Sequence, residues 1–375
     1  MITDIQGVPI VISRGNSYEL GRQHGQAARA RIQNTIDVML YLCQQNVGLD
    51  NAQARELAMK FLPNVEKYDS RYVEELRGIA DGSGLDFEDI MVINARTELL
   101  KLPKKPLGGG VDMRQTGCTS VAVTGEVTSD SSTYVGQTWD FLKISMDSLI
   151  AHLIIPDDGR PSVFYVGEAG LISRMGINSV GIGGGVNSLS TSGPVNLSGI
   201  PLQFVLRGVM ESRNLAEAIE AVQRMPNGAV NNIMIGYRDS EAVDVEIDHD
   251  NCECLYPQDS IITHTNHYVH PNRPHYPYHC IYTGSSIVRK GRSEKLLRGI
   301  KNKKGCITPE DIMEVFTDHG NYPYSICVHG DETEPYSHQT DCAFICNLST
   351  LEMDISIGNP CKNGFLRVRP FEDLV

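Results

Sequence analysis

The sequence predicts a layered α+β fold with largely antiparallel sheets, and three observations carry that prediction. Most of the first hundred residues place apolar side chains at helical spacing. From Cys118 onward the apolar period falls to two, with turn-forming residues between short runs. Only two strong helical patterns interrupt those runs before the chain returns to strand near its end.

In order, Ser17 to about Asn46 reads as a helix without proline, with Ser17 as N-cap. Further helical patterns cover Asn51 to Tyr68 and Ser70 to Ala80, and the turn at Gly82 to Gly84 ends them. Asp86 is placed to cap a short helix beginning Phe87-Glu88-Asp89-Ile90. Lys101 to Gly110 holds two prolines, three consecutive glycines and three lysines, so it reads as an exposed connection. It is either a domain linker or a segment that gives way during processing.

Thr119 to Val123 and Thr133 to Trp139 read as strands, joined as a hairpin by the polar run Thr128 to Ser132. More strands are expected at Leu149 to Ile155, Val163 to Val166, Ile233 to Tyr237, Ala242 to Ile247 and Ser260 to His264. Asn214 caps a helix from Leu215 to Met225, with Glu217 at capping-box spacing. Thr308, with Pro309 at the first helical position, opens another to about Phe316. Ala343 to Cys346 and Met353 to Ile357 return to strand, and no internal repeat is visible.

With 41% hydrophobic and 21% charged residues, the chain of 375 is an ordinary globular protein rather than a disordered one. A formal net charge of −13 argues against a nucleic-acid or anionic-membrane partner. No apolar run is long enough to span a bilayer, and the opening Met-Ile-Thr-Asp-Ile-Gln-Gly has no basic stretch leading into an apolar one. Ten cysteines in so large a chain therefore read as reduced thiols of a cytoplasmic protein. Cys252 and Cys254 form C-x-C, and Cys342 and Cys346 lie in an apolar strand-like run. Neither pair has a second ligand pair at zinc-finger spacing, so packed core thiols and no metal are expected.

Four segments can carry chemistry. In Thr116-Gly117-Cys118-Thr119-Ser120, a thiol follows a residue whose carbonyl is sterically open. Attack of the Cys118 sulfur on the Gly117 carbonyl would shift the acyl chain from N to S. Hydrolysis would then leave Cys118 as a new N-terminus. Its α-amino group, with an ordinary pKa of about 7.7–8.0, can serve as base for the neighbouring thiol. Taken alone, however, Gly-Cys reads better as a buried strand thiol. Asp140 ends the strand that would pair with the Cys118 strand, where its carboxylate can orient the ammonium or the thiol. A surface turn aspartate is equally common. In Thr263-His-Thr-Asn-His267, Asn266 offers an amide donor for an oxyanion, or a turn cap. His264 and His267 lack a third ligand and read as supporting or surface histidines. The glycine-rich run from Glu168 to Asn187 lacks the residues of a phosphate loop and reads as closely packed strands beside a cleft.

Taken together, these segments resemble the acyl-coenzyme A:isopenicillin N (6-aminopenicillanic acid) acyltransferase family of autoproteolytic N-terminal-nucleophile hydrolases. The resemblance begins at Tyr18-Glu-Leu-Gly-Arg-Gln-His-Gly25 and continues through Glu75-Leu-Arg-Gly78 and Asp89 to Glu98. Gly117-Cys118-Thr119, Trp139-Asp140-Phe141, Glu168-Ala-Gly170 and Asn178-Ser179 follow. His264-Thr-Asn-His267 and Asn321-Tyr-Pro-Tyr-Ser-Ile-Cys327 complete it. It implies an αββα four-layer sandwich, with a helical pro-segment at 1–117 and a catalytic core at 118–375. It also implies Cys118 as nucleophile and α-amino base, cleavage between Gly117 and Cys118, Asp140 as positioning carboxylate and Asn266 in the oxyanion hole. Glu168, Asn187 and His329 are candidate substrate contacts. The sequence departs from the family pattern at Thr116, where aspartate is usual, and at Val328, where arginine is usual.

The expected activity is therefore self-cleavage, then hydrolysis or transfer of small acyl amides through a thioester on Cys118. No cofactor is called for, and the pro-segment is the expected partner. Two rivals stand beside it: a thiol hydrolase pairing Cys118 with His264 or His267 in an uncleaved chain, and a non-catalytic binding protein on the same fold.

Overall fold

The computed structural model describes residues 3–103, 117–189, 194–249, 251–272 and 283–374. Thr116 and most of the connection from Lys101 to Gly110 lie outside the described residues.

The strands in chain order are β1 (Asp4–Ile5), β2 (Val8–Gly15), β3 (Gly117–Val123), β4 (Tyr134–Leu142), β5 (Leu149–Pro156), β6 (Val163–Glu168), β7 (Ile177–Asn178) and β8 (Ile182–Ser188). They continue with β9 (Asn231–Tyr237), β10 (Glu241–Ile247), β11 (Cys252–Leu255), β12 (Ile261–His264), β13 (His338–Asn347), β14 (Glu352–Ile357) and β15 (Leu366–Val368). Among the described residues they form two sheets. The larger, of nine strands, runs β1-β2-β5-β6-β7-β8-β9-β10-β11; the smaller, of six, runs β12-β3-β4-β13-β14-β15. Every described pairing between these strands is antiparallel except β2 against β5.

The sheets stack face to face. A Cβ added to Gly185 of β8 would lie 2.6 Å from Ser120 Oγ of β3, so small residues let the two backbones approach. Gln137 of β4 crosses the gap, donating to Val186 O and accepting from Val186 N–H at 3.2 Å. The smaller sheet sorts its side chains by strand period. Val121, Val123, Ala343 and Ile345 face a helical layer, while Ala122, Val135, Cys342, Phe344 and Cys346 face the larger sheet.

Two helical layers cover the outside. On the larger sheet lie α1 (Ser17–Leu42), α2 (Asn51–Met59), α3 (Leu62–Tyr68), α4 (Ser70–Ser83), α5 (Phe87–Asn94), α6 (Arg96–Leu100), α7 (Leu202–Met210) and α8 (Leu215–Gln223). On the smaller lie α9 (Thr283–Lys304) and α10 (Pro309–Phe316), with α11 (Pro360–Asn363) near its edge. The layering is αββα, as expected. None of the described helices is long and apolar enough to cross a membrane.

Several expectations need correction. The cap of α1 is Asn16, whose side chain accepts from Glu19 N–H at 3.0 Å; Ser17 is already helical. The pattern Asn51 to Tyr68 splits in two, because Pro63 can open α3 but cannot continue α2. The first 117 residues are not wholly helical. β2 lies inside the larger sheet, Ile10 to Gly15 in register with Ala151 to Pro156. Cys252 and Cys254 sit half-buried on the edge strand β11, whereas Cys342 and Cys346 are core thiols as expected. The helices Pro309–Phe316 and Leu215–Gln223 carry the predicted caps, Thr308 and Asn214.

Candidate active site

β3 and β4 are buried along their whole lengths, and their register opposes Gly117 to Asp140 and Cys118 to Trp139. Opposed residues share a face. The Cys118 thiol therefore lies on the Trp139 face, toward the larger sheet, and Asp140 lies on the Gly117 face, toward α9. The predicted closeness of Cys118 and Asp140 is thus realised across one peptide plane.

β12 supplies the third residue. It pairs with β3 through His264 opposite Ser120, so the chain just beyond it runs past Cys118. Asn266 Oδ1 accepts from the Cys118 backbone N–H at 2.9 Å, and also from Arg289 Nη2 at 2.9 Å. Two donors converging on one atom make it the amide oxygen. The Asn266 amide nitrogen donates to Ser188 O at 3.0 Å, and its backbone N–H donates to Ser286 Oγ at 2.7 Å. Cys118, Asp140 and Asn266 are therefore brought together.

His264 stiffens this turn. Fully buried, it contacts Glu246 Oε1 through Nε2 at 2.9 Å and Thr265 O through Nδ1 at 2.8 Å. Both partners are acceptors, so both nitrogens carry protons. Burial acts to lower its pKa, but Asp244, Glu246 and the Thr265 carbonyl outweigh burial and raise it. Burial and the His264 charge push His267 down to about 4, and its Nδ1 is held by Ser286 Oγ at 2.7 Å. Among the described residues, no hydrogen bond joins the Cys118 thiol to a histidine.

Arg289, which sequence reasoning missed, caps the group. From α9 its Nη1 donates to Cys118 O at 2.7 Å and to Thr119 Oγ1 at 3.1 Å, and its Nε donates to Ser285 Oγ at 3.0 Å. This guanidinium explains the glycine before the cysteine: a Cβ at Gly117 would meet Arg289 Nη2 at 2.7 Å and Asn266 Oδ1 at 3.1 Å. A second buried guanidinium, Arg174, lies 4.3 Å over the Trp139 ring. Positive charge beside the thiol thus comes from Arg174 and Arg289, although the family's usual arginine is Val328 here.

Burial and the Asp140 charge push the Cys118 thiol up to about 12, against the pull of both arginines. Burial likewise raises Asp140 to about 7, opposed by Arg289 and by Thr340 Oγ1, which donates to Asp140 Oδ1 at 2.7 Å. Asp140 Oδ2 is buried with no hydrogen-bond partner among the described residues. In the intact chain the thiol rests neutral beside a carboxyl that exchanges its proton near neutral pH.

The remaining candidates separate. Asn187, two residues along β8 from Gly185, faces the Cys118 sheet, and among the described residues neither atom of its fully buried amide has a hydrogen-bond partner. Glu168 forms a buried ion pair with Arg96 of α6. His329 groups with His319, Cys327 and Cys361, and no hydrogen bond among the described residues joins it to Cys118, Asp140 or Asn266. Such a cluster is absent from the sequence expectation of no metal site, which weighed only the pairs around Cys252, Cys342 and His264.

Comparison with known proteins places the chain in a family. The chain is 29% identical over 318 residues to the acyl-coenzyme A:6-aminopenicillanic-acid-acyltransferase 40 kDa form of Emericella nidulans, covering 84% of each. It is 22% identical over 245 residues to the β-alanyl-dopamine/carcinine hydrolase of Drosophila melanogaster, covering 62% of this chain and 61% of that one. A solved conjugated bile acid hydrolase from Clostridium perfringens, in a mutant form, superposes with a TM-score of 0.46 at 15% identity, covering 67% of this chain and 92% of that one. The family described as acyl-coenzyme A:6-aminopenicillanic acid acyl-transferase matches residues 127–362, a stretch that holds Asp140, Asn187 and Asn266. With well over half of its length inside that match, the chain belongs to the acyl-coenzyme A:6-aminopenicillanic acid acyl-transferase family.

Proposed function

We propose that the protein is a self-cleaving cysteine amidohydrolase or acyltransferase, in which Cys118 becomes both nucleophile and N-terminus. One observation carries this reading: the Cys118 N–H is bonded to Asn266 Oδ1, with Asp140 across the strand pair and Arg289 on the following carbonyl. A structural cysteine would need none of these groups at its own backbone.

Cleavage begins when the Cys118 sulfur attacks the Gly117 carbonyl carbon and its proton leaves. The C–N bond breaks with protonation of the Cys118 nitrogen, and water hydrolyses the resulting thioester. The new ammonium takes the place of the peptide N–H beside Asn266, where the spare Asp140 oxygen can hold it. As a free amine it then accepts the thiol proton, so the base is built into the nucleophile's own residue. The sulfur attacks a substrate acyl carbon. The developing oxyanion is met by Asn266 and backbone donors. The amine or thiol leaving group departs, and water or a second amine resolves the thioester.

The substrate class is a small acyl amide or acyl thioester. The two relatives' names pair acyl or aminoacyl groups with small amines, and the acidic chain suits amine-bearing partners. Asn187 is the substrate contact best supported, since its buried amide lacks partners. Residues 1–117 remain as the first chain of the mature protein and 118–375 as the second. No observation favours the Cys-His rival, whose histidines are committed to Glu246 and Ser286.

Intact-mass measurement of purified protein is the test. Fragments ending at Gly117 and beginning at Cys118 are expected, together with amine release from a panel of acylated amines. A single uncleaved, active species would remove the mechanism, and so would full activity in Cys118→Ala.

A further inference from the structure

Outside the candidate active site, four side chains point their ligand atoms at one spot. His319 follows α10, Cys327 and His329 precede β13, and Cys361 lies on α11. All four ligand atoms lie within 4.8 Å of one another. His319 Nε2 is 3.0 Å from His329 Nε2, and Cys327 Sγ is 3.6 Å from Cys361 Sγ. His329 Nε2 is 3.5 Å from Cys327 Sγ and 3.3 Å from Cys361 Sγ.

Ordinary hydrogen bonding does not account for this geometry. An imidazole nitrogen carries one in-plane proton or one lone pair, so His329 Nε2 can make only one strong bond. Here it faces a nitrogen and two sulfurs together. A cation at the centre would use one lone pair from each residue. The spacing also fits a cation. Zinc bonds of about 2.3 Å to sulfur and about 2.0–2.1 Å to nitrogen, arranged tetrahedrally, set edges of about 3.8 Å for S–S, about 3.6 Å for S–N and about 3.3 Å for N–N. The observed separations fall within a few tenths of an ångström of these.

We propose that His319, Cys327, His329 and Cys361 form a closed tetrahedral zinc site. Two nitrogens and two sulfurs suit zinc better than magnesium or calcium, which take oxygen ligands. Binding leaves both cysteines as thiolates, and two protons pass to solvent. Four protein ligands leave no open position, so the ion is structural. Asn359 supplies an outer partner, its Nδ2 lying 3.6 Å from Cys327 Sγ and donating to Val328 O at 2.7 Å. The ion ties the strap that holds Cys327 and His329 to α11. That strap continues to the catalytic group, since Val328 N–H donates to Thr340 Oγ1 at 2.9 Å and Thr340 is the donor to Asp140. The site stands on its own geometry and does not depend on Cys118 being a nucleophile.

The test is metal analysis of the untagged full chain, purified without chelator. One zinc per chain is expected. After stripping, cobalt(II) added alone should give a thiolate charge-transfer band and the visible bands of a tetrahedral ion. Cys361→Ser and His319→Ala, both at exposed positions, should each lose zinc and weaken those bands. Zinc should raise the unfolding temperature of stripped wild type but not that of either variant. A wild-type chain that holds no zinc and gives no cobalt band overturns the proposal. So does unchanged zinc content in both variants, or a Cys327–Cys361 disulfide in freshly purified protein.

Discussion

Arg289 ties together Cys118 O, Thr119 Oγ1 and Asn266 Oδ1, which makes it a positioning residue for the proposed cleavage. Arg289→Gln should slow appearance of the Cys118 N-terminus by on the order of 100-fold, as loss of a preorganised donor does. A mass time course reads the rate, and the unfolding midpoint reports whether the fold survives. Gly117→Ala should be slow for the opposite reason, because its methyl would press on that guanidinium at 2.7 Å. Asp140 gives a pH signature. Burial raises its pKa from 3.8 to about 7 in the folded chain, so the fold binds that proton more tightly than the unfolded chain does. The stabilisation is complete below about pH 4 and is lost as pH rises through 7. Uncleavable Cys118→Ala should therefore weaken across that window in urea titrations, and a Cys118→Ala/Asp140→Asn double variant should weaken less, keeping the share that buried Glu98, also raised to about 7, contributes. Cleavage of wild type should accelerate across the same window. That Cys118, Asp140 and Asn266 lie together was legible because each sits in a short strand-linked motif. Arg289 was not, being 171 residues from Cys118 on a helix whose sequence gives no hint of what it faces.

Among elements, the contact of α1 with α4 shows what the glycines of the early motifs do. A Cβ on Gly21 would lie 1.9 Å from Glu75 O, and one on Gly78 would lie 2.1 Å from Tyr18 O, so the helices touch backbone to backbone. Glu75 then turns away to form a two-pronged pair with Arg207 of α7, at 3.0 and 2.9 Å, both groups fully buried. Glu75→Gln should cost about 1.5–3 kcal/mol, because Arg207 loses one charged partner in the core and keeps only Glu211, at 2.6 Å. Chemical denaturation checks this, and a loss below about 1 kcal/mol would contradict it. α7 escaped the sequence reading because Leu202–Met210 is a short apolar run, buried on every side, in which only Gln203 and Arg207 mark the helical period. β2 escaped for a similar reason: it is a short apolar run, with Pro9 near its start, where helical patterns dominate. The capped helices and hairpin strands were legible because their signals are local.

Over the whole molecule, the two proposed chains share one core. β2 hydrogen-bonds along β5 in the larger sheet, and Arg96 of α6 reaches the buried Glu168 of β6. After cleavage the pieces should elute together at native pH and separate only in denaturant. Co-elution in size exclusion followed by mass analysis measures this, and a free 1–117 fragment in native buffer would contradict it. The layered architecture was legible as a class; which strands lie side by side was not, since β2 and β5 are joined by pairing across well over a hundred residues.

If the backbone is cut before Cys118 as proposed, the parallel seam between β2 and β5 fixes the order of events in the protein's life. The seam must zip while both strands belong to one polymer, when their encounter is intramolecular. Once the backbone is severed, recovering it from the melted state becomes a second-order reaction that slows with dilution. Heating should therefore be reversible for the unprocessed precursor and, at low concentration, a one-way loss for the mature enzyme.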